Sequence, residues 1–465
     1  MTQAGEDVQM SEELRKRLGK PPESPPWKEI RFRCSFHNTI YDVLKARGFK
    51  ETEEPDWDLF WCDKEWIHDA FDHTHLQAHQ RVNHFRNHFE LTRKDLLVKN
   101  IRRAQRQAIK DGLLEEAQAF AACSPTTFVL PQEYSIFVEE FKRQQPNGAI
   151  WIMKPVGKSQ GRGIFLFDKL SQVSSWRQDP KWMRIQKEGE QRPTRRRDGD
   201  EEEEDKKEAE PYVVQRYLSE PLLIGGKKFD LRLYVLVTSY SPLTIYVYRS
   251  GFARFSHSRF SMNTADLSDA MIHLTNVAVQ KHNDHYDEKK GGKWDLRSLK
   301  MYLMMTEDSA KVQQLFAEMQ DVILFSLLSV QKVMIQDKHC FELYGYDIMI
   351  SKDLKPWLIE VNASPSLSAN TVADYEMKFA LLDDVLTVLD FEKYLDGTET
   401  QIGGFDILCR QGVRVDRPAT AASRSYLGCH NNRQEQMRRL SQRLAREQEK
   451  RKQQAMQFPT SGPGI

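Results

Sequence analysis

One stretch constrains this chain more than any other: Leu343–Ser366, reading LYGYDIMISKDLKPWLIEVNASPS. Its pattern predicts two strands, Tyr344–Ile350 and Pro356–Val361, joined by the polar turn Ser351–Lys355. A hairpin closing on Asp353 and Leu354 sets Asp347 opposite Glu360, because both lie equally far from that centre. Asn362 then shares a face with Glu360, since alternate strand residues point the same way. Opposed carboxylates on paired strands repel, and a bound cation resolves the conflict. Two carboxylates and an amide oxygen are hard, oxygen-only ligands of the kind magnesium takes, with positions left for phosphate and water. The plainer alternative is a solvated hairpin with scattered acids. Ile348, Ile350, Leu358, Ile359 and Val361 around those acids weigh against it.

The 465 residues have room for two or three domains around a substantial core. A formal net charge of +1 supplies no global field, so neither a nucleic acid nor a membrane is expected as a partner. Six cysteines lie far apart with no CxxC, which suits a reducing compartment better than a disulfide or zinc framework. No apolar run is long enough to cross a membrane, and the N-terminus is acidic and polar. These features predict a soluble, intracellular protein.

Residues 1–26 are polar and read as a flexible lead-in. Residues 27–125 read as a small mixed domain; its tryptophans (Trp57, Trp61, Trp66) and the histidines from His68 to His88 are expected to pack rather than bind metal. Residues 92–119 predict a basic amphipathic helix, either a solvated face or a contact for an acidic partner. Trp151–Phe167 predicts strand, glycine loop, strand. Such a loop lets backbone N–H groups approach phosphate, with Lys154 and Lys158 adding charge; a tight hairpin is the alternative. The loop lacks the first glycine of a Walker motif and opens into a strand instead of a helix. Lys181–Glu210 carries RRRDGDEEEEDKKE and reads as a disordered surface insertion. Tyr212–Leu218 predicts a buried strand whose edge could serve as an adenine hinge. In residues 227–237, Lys228, Asp230 and Arg232 fall on one strand face, and Phe229, Leu231 and Leu233 on the other. Three charges on such an apolar strand are costly if buried without partners; a nucleotide with its metal is a plausible common one. Leu243–Phe255 continues the sheet, residues 308–335 predict a helix behind it, and residues 381–395 a closing helix. The tail, 396–465, shows weak core potential and a basic helix across residues 433–452.

Taken together, WIMKP, SQGRGI, VVQRYL, KKFDLR, HLTN, YGYDI and IEVN, in that order, resemble the tubulin–tyrosine ligase-like family. NHFELTRKDLLVKN at 87–100 extends the resemblance, and HLTNVAVQKH, DKHCFELYGYD and VNASPS look most like its polyglutamylase branch. The resemblance implies an α/β (α+β) ATP-grasp fold. The expected division is an N-terminal domain (27–125), a central ATP-grasp domain (126–240), a C-terminal ATP-grasp domain with the metal site (241–395) and a basic, partly disordered tail. It implies an ATP-dependent ligase that joins free glutamate to glutamate side chains of tubulin tails through an acyl phosphate. By resemblance, Lys154, Gln160, Gly161, the hinge Gln215, Arg216, Tyr217 and Leu218, with Lys228, Phe229, Asp230, Thr275 and Asn276, hold ATP. Asp347, Glu360 and Asn362 hold Mg2+. Arg232 and Glu360 are the catalytic pair, Arg232 stabilising phosphate or the tetrahedral oxyanion. Arg254 and Lys293 match positions that hold the carboxylates of incoming glutamate. Companion subunits and a place in the cytoplasm, on the cytoskeleton and in a cilium or flagellum, at the axoneme or basal body, belong to the same expectation. The competing readings are a microtubule-bound scaffold or complex subunit with weak activity alone, and a glycine-adding ligase of the same fold.

Overall fold

The computed structural model describes residues 29–158, 161–177, 211–280, 292–369, 371–416 and 424–457. The lead-in and the acidic insertion read from sequence lie outside them. Three sheets carry the fold. The first is four short parallel strands, β1 (Arg31–Cys34), β2 (Lys50–Glu51), β3 (Leu59–Trp61) and β4 (Arg81–Val82), in the order β2-β1-β3-β4. The second is antiparallel: β5 (Thr127–Leu130), β6 (Trp151–Pro155), β7 (Phe165–Phe167) and β8 (Tyr212–Arg216), in the order β5-β8-β6-β7.

The third sheet is the largest. It contains β9 (Leu223–Ile224), β10 (Lys227–Tyr240), β11 (Leu243–Phe255), β12 (Lys293–Asp295), β13 (Glu342–Ile350), β14 (Pro356–Asn362), β15 (Gln401–Ile402), β16 (Phe405–Arg410) and β17 (Val413–Arg414). Its spine runs β14-β13-β10-β11-β16-β15, with β9, β12 and β17 attached at its margins. The last three strands overturn the expectation of a weakly packing region after residue 395. Phe405, Ile407, Leu408 and Cys409 are buried, and β16 pairs with β11. FDILCR is too short an apolar run to stand out alone; it is a strand because an edge of β11 is open to it.

Two helix corrections have local causes. The basic stretch is split into α1 (Lys94–Lys110) and α2 (Leu114–Ala122). Gly112, at φ +76°, makes the break, a left-handed conformation that glycine adopts cheaply. The closing helix starts nine residues earlier than predicted. Behind β10 lies α3 (Ser309–Gln331), capped by Asp308 on the Lys311 N–H; the closing helix is α4 (Val372–Leu389), capped by Thr371 on the Asp374 N–H.

The alternation of β10 distributes the core. Phe229, Leu231, Leu233, Val235 and Val237 join the cluster that holds α3, whereas Tyr234 and Leu236 join the cluster that holds α4. Towards the start of β10 the second face changes character: Lys228, Asp230 and Arg232 take the positions that Tyr234 and Leu236 occupy further along. A charged cleft therefore opens where the helix cover stops.

Candidate active site

The cleft lies between the second and third sheets. It holds about 740 Å³ of empty space, part of it open to solvent. Lys154, Gly161, Gln215, Arg216, Tyr217, Leu218, Lys228, Asp230, Thr275, Asn276, Asp347 and Glu360 line it together. Gln160 lies outside the described residues. Phe229 is a correction: it points away from the cleft, 1% exposed in the core with its ring 5.2 Å from that of Phe255, as strand alternation requires. The Arg216 guanidinium is turned to Gln144 Oε1 at 2.9 Å.

Sequence reading missed Lys94, Ile152, His273, Met349 and Ile359 as site residues, all of which line the cleft. Ile152 lies two residues before Lys154 on β6, and Met349 two after Asp347 on β13, so strand alternation was the available signal. Lys94 begins α1 and sits 3.6 Å from Glu360; nothing local announces that long-range meeting. Gly161, at φ +77°, has a steric reason as well: a Cβ there would lie 2.6 Å from Val279 Cγ2.

Two lysines define one end. Lys154 is 7% exposed and donates to Gln215 Oε1 at 2.8 Å. Lys228 is 2% exposed and donates to Tyr217 Oη at 2.9 Å and to the His273 carbonyl at 2.7 Å. These partners are all neutral. Burial therefore lowers the Lys154 pKa to about 8 and that of Lys228 to about 7.

The acids define the middle. Asp347 pairs with Glu360, yet not by the geometry first assumed. Ile350 opposes Pro356 and Ile348 opposes Leu358, which centres the turn on Asp353 and would set Asp347 against Ile359. A bulge between Asp347 and Ile348 inserts one residue on β14 and restores the pairing with Glu360. Cations of the chain itself already lie against the acids. Arg232 donates from Nε to Asp347 Oδ1 at 2.6 Å and from Nη2 to Oδ2 at 3.2 Å. Arg254 Nη2 lies 2.9 Å from Asp347 Oδ2. These guanidinium groups hold the Asp347 carboxyl well below the usual range against its burial. Asn362 Nδ2 is 3.4 Å from Glu360 Oε1, so the two share a face. Among the described residues no group of three or more His, Cys, Asp or Glu side chains forms a metal cage. Two carboxylates and one amide oxygen still fit a hard divalent cation that completes its shell with phosphate and water.

Arg254 and Lys293, directly opposed on β11 and β12, are not among the residues lining the cleft but adjoin it through Asp230 and Asp347. Arg254 is bidentate to Asp230, at 2.8 and 2.6 Å, and Lys293 reaches Asp374 of α4 at 3.2 Å. Asp374 also accepts from Lys378 at 3.1 Å. Unlike Lys154 and Lys228, these cations are paired with carboxylates.

Residues 72–396 match the Tubulin-tyrosine ligase family. The chain belongs to that family. It is similar to the probable tubulin polyglutamylase TTLL9 of Rattus norvegicus, 46% identical over 435 residues, which covers 89% of this chain and 93% of the relative. The probable tubulin polyglutamylase ttll-9 of Caenorhabditis elegans is 46% identical over 390 residues, 84% and 87% of the two chains. The probable alpha-tubulin polyglutamylase Ttll1 of Tetrahymena thermophila is 40% identical over 403 residues, 82% and 93%. Membership of the tubulin-tyrosine ligase family makes the fold ATP-grasp-like and the protein an ATP-dependent ligase.

Proposed function

We propose that this chain is a tubulin polyglutamylase, joining free glutamate to glutamate side chains of tubulin tails at the expense of ATP. The observation that carries the nucleotide half is the pair of buried lysines with neutral partners. Two such ammonium groups in one cleft are costly until an anion arrives, and a polyphosphate is an anion that both can share. The polyglutamylase half rests on the similarity to the relatives named above.

A carboxylate does not acylate an amine unaided at neutral pH. In the proposed sequence the acceptor carboxylate oxygen attacks the terminal phosphorus of ATP, giving an acyl phosphate and ADP. The amine of free glutamate then attacks the acyl carbon, and phosphate leaves with the amine's proton released. Lys154 and Lys228 hold phosphate oxygens, and Arg232 faces the charge that develops at the acyl centre. Asp347, Glu360 and Asn362 would hold Mg2+, which supplies neutralisation of phosphate charge when bound. Arg254 and Lys293 sit where the carboxylates of free glutamate would enter; Arg254 Nε and Nη2 are engaged with acids, which leaves Nη1 and the Lys293 ammonium to meet them.

Acidic tails also need capture. The helix α5 (Arg433–Gln457) is basic and is fastened to the body by Arg433 on Asp383 and Asp384 and by Arg443 on Asp396. Its exposed Arg438 and Arg439 share Glu435, and Arg446 and Lys450 lie beyond. This surface suits a glutamate-rich peptide, and a tubulin-tail substrate places the protein on the cytoskeleton. The test is purified protein with tubulin, ATP, magnesium and, separately, glutamate, glycine or tyrosine, read by mass spectrometry of the tails. Mass gain with glutamate alone, weakening as salt rises, is the expected result; gain with glycine or tyrosine instead refutes the amino-acid assignment.

A further inference from the structure

Asp347 stands between the two halves of the site and is bonded on both sides. Its Oδ1 accepts from Arg232 and its Oδ2 from Arg232 and Arg254, at 2.6, 3.2 and 2.9 Å. The two arginines differ in what else holds them. Arg254 is gripped by Asp230 through two further hydrogen bonds, so it keeps a carboxylate whatever Asp347 does. The hydrogen bonds and ion pairs found for the Arg232 side chain among the described residues all go to Asp347. Its side chain is 11% exposed and rests over Gly345: a Cβ at that position would lie 3.2 Å from Arg232 Cδ and 3.2 Å from its Nη1. Gly345 therefore makes the seat in which Arg232 is held.

A second observation marks the arrangement as unfinished. Tyr234, next along this face of β10, is 0% exposed, and its hydroxyl has no hydrogen-bond partner among the described residues. The charges that act on that hydroxyl are those of Arg232, Asp374, Arg254 and Asp347. Its ring meets Phe252 edge-on at 6.4 Å, and the Lys293 ammonium lies 4.9 Å from the same Phe252 ring. An orphaned buried hydroxyl on the same strand face as a guanidinium held by one acid is what a cluster with a second bonding pattern leaves behind.

We infer that Asp347 is a coupling residue: a divalent cation arriving with the nucleotide draws its carboxylate away from Arg232, and the released guanidinium, which the proposed reaction turns towards the acyl centre, becomes available beforehand to a carboxylate of the incoming amino acid alongside Arg254 and Lys293. This rests on the proposed ligase function and adds a coupling to it: by linkage, the nucleotide with its cation and the amino acid each tighten the other by the same factor. Asp347 acts through Arg232 and is a positioning residue in this respect.

The test is calorimetric titration of glutamate into the full chain in four arms: protein alone, with Mg2+, with a non-hydrolysable ATP analogue in chelator, and with analogue plus Mg2+. Glutamate affinity should rise about ten-fold in the last arm over the third, inside the usual range for coupled sites. Equal affinity in the third and fourth arms overturns the coupling and leaves the ligase function standing. Absence of glutamate binding in every arm overturns both. The variant Asp347→Asn separates coupling from mere support. Its amide holds Arg232 less strongly than a carboxylate does, so glutamate should bind without nucleotide at least as tightly as wild type does, with the four arms converging. Loss of glutamate binding by a folded Asp347→Asn protein would show that Asp347 only supports the site.

Discussion

The two ends of the cleft solve the burial of positive charge in opposite ways. At one end Lys154 and Lys228 are buried against an amide oxygen, a phenol and a backbone carbonyl. At the other, Arg254 and Lys293 each face a carboxylate of the chain itself. A cation with neutral partners is kept ready for an anion from outside; a cation with an acid partner is largely satisfied before any ligand arrives. The first end is thus built for net charge and affinity. The second is built for geometry, since a ligand there must share or displace an internal ion pair. On the proposed function, phosphate takes the first end and an amino acid, bound more weakly, the second.

The sharpest way to break this comparison is to remove one cation from each end and compare stabilities. Arg254→Met leaves Asp230 without its bidentate partner and removes one of the three Asp347 contacts in a buried place, and breaking such a pair costs about 3–5 kcal/mol. Lys228→Met removes a buried charge whose partners were neutral. Tyr217 Oη keeps its bond to His273 Nδ1 at 3.0 Å, so the melting temperature should stay level or rise while ATP affinity falls at least ten-fold. Denaturant unfolding of both variants checks the pair. A large loss of stability in Lys228→Met, or none in Arg254→Met, would erase the distinction between the ends.

The contrast was only half legible in the sequence. Alternation placed Lys228, Asp230 and Arg232 on one face and gave the hairpin its acids, because period two survives whatever the strand packs against. What alternation cannot state is which strands become neighbours. The opposition of Arg254 and Lys293, the grip of Asp230 on Arg254 and the approach of Lys94 to Glu360 are all set by sheet order and helix placement. The bulge before Ile348 shows the same limit: the expected partner of Asp347 was reached through a turn centred elsewhere. Phe229 was counted into the site because it sits inside KKFDLR, although its parity already placed it on the core face.

A smaller effect on stability, though a large one on rate, is expected at Glu360. It is 25% exposed, and its contact with Lys94 at 3.6 Å is worth no more than about 1 kcal/mol. Glu360→Gln should therefore melt close to wild type. Its turnover at saturating ATP and ordinary magnesium should fall about a hundred-fold or more, since charge neutralisation on a transferring phosphoryl group is worth several kcal/mol. Steady-state ADP release at several magnesium concentrations measures this. Near-normal turnover would remove Glu360 from the chemistry and place the acid pair among structural charges.

The smallest expected signal is a proton count, and it reads the comparison directly. The pKa of Lys228 is lowered to about 7 and that of Lys154 to about 8 by burial, from 10.5 in the unfolded chain. For a cation with a depressed folded pKa, the unfolded chain binds more protons over the interval between the two values. This pair's contribution to stability therefore rises with pH from about 7 to 10.5, and below pH 6 both states are protonated and the slope vanishes. A bound polyphosphate raises both pKa values back, so nucleotide binding near pH 8 should take up protons from the buffer. Calorimetry in two buffers of different ionisation enthalpy gives the number. Uptake should shrink at pH 6 and disappear in Lys154→Met/Lys228→Met. The carboxylate-paired end should contribute none, because Arg254 stays protonated throughout, held well above its ordinary value by Asp230 and Asp347 against its burial. Uptake that survives the double lysine variant would mean the protons are going elsewhere, and the two ends would no longer differ in the way their hydrogen bonds indicate.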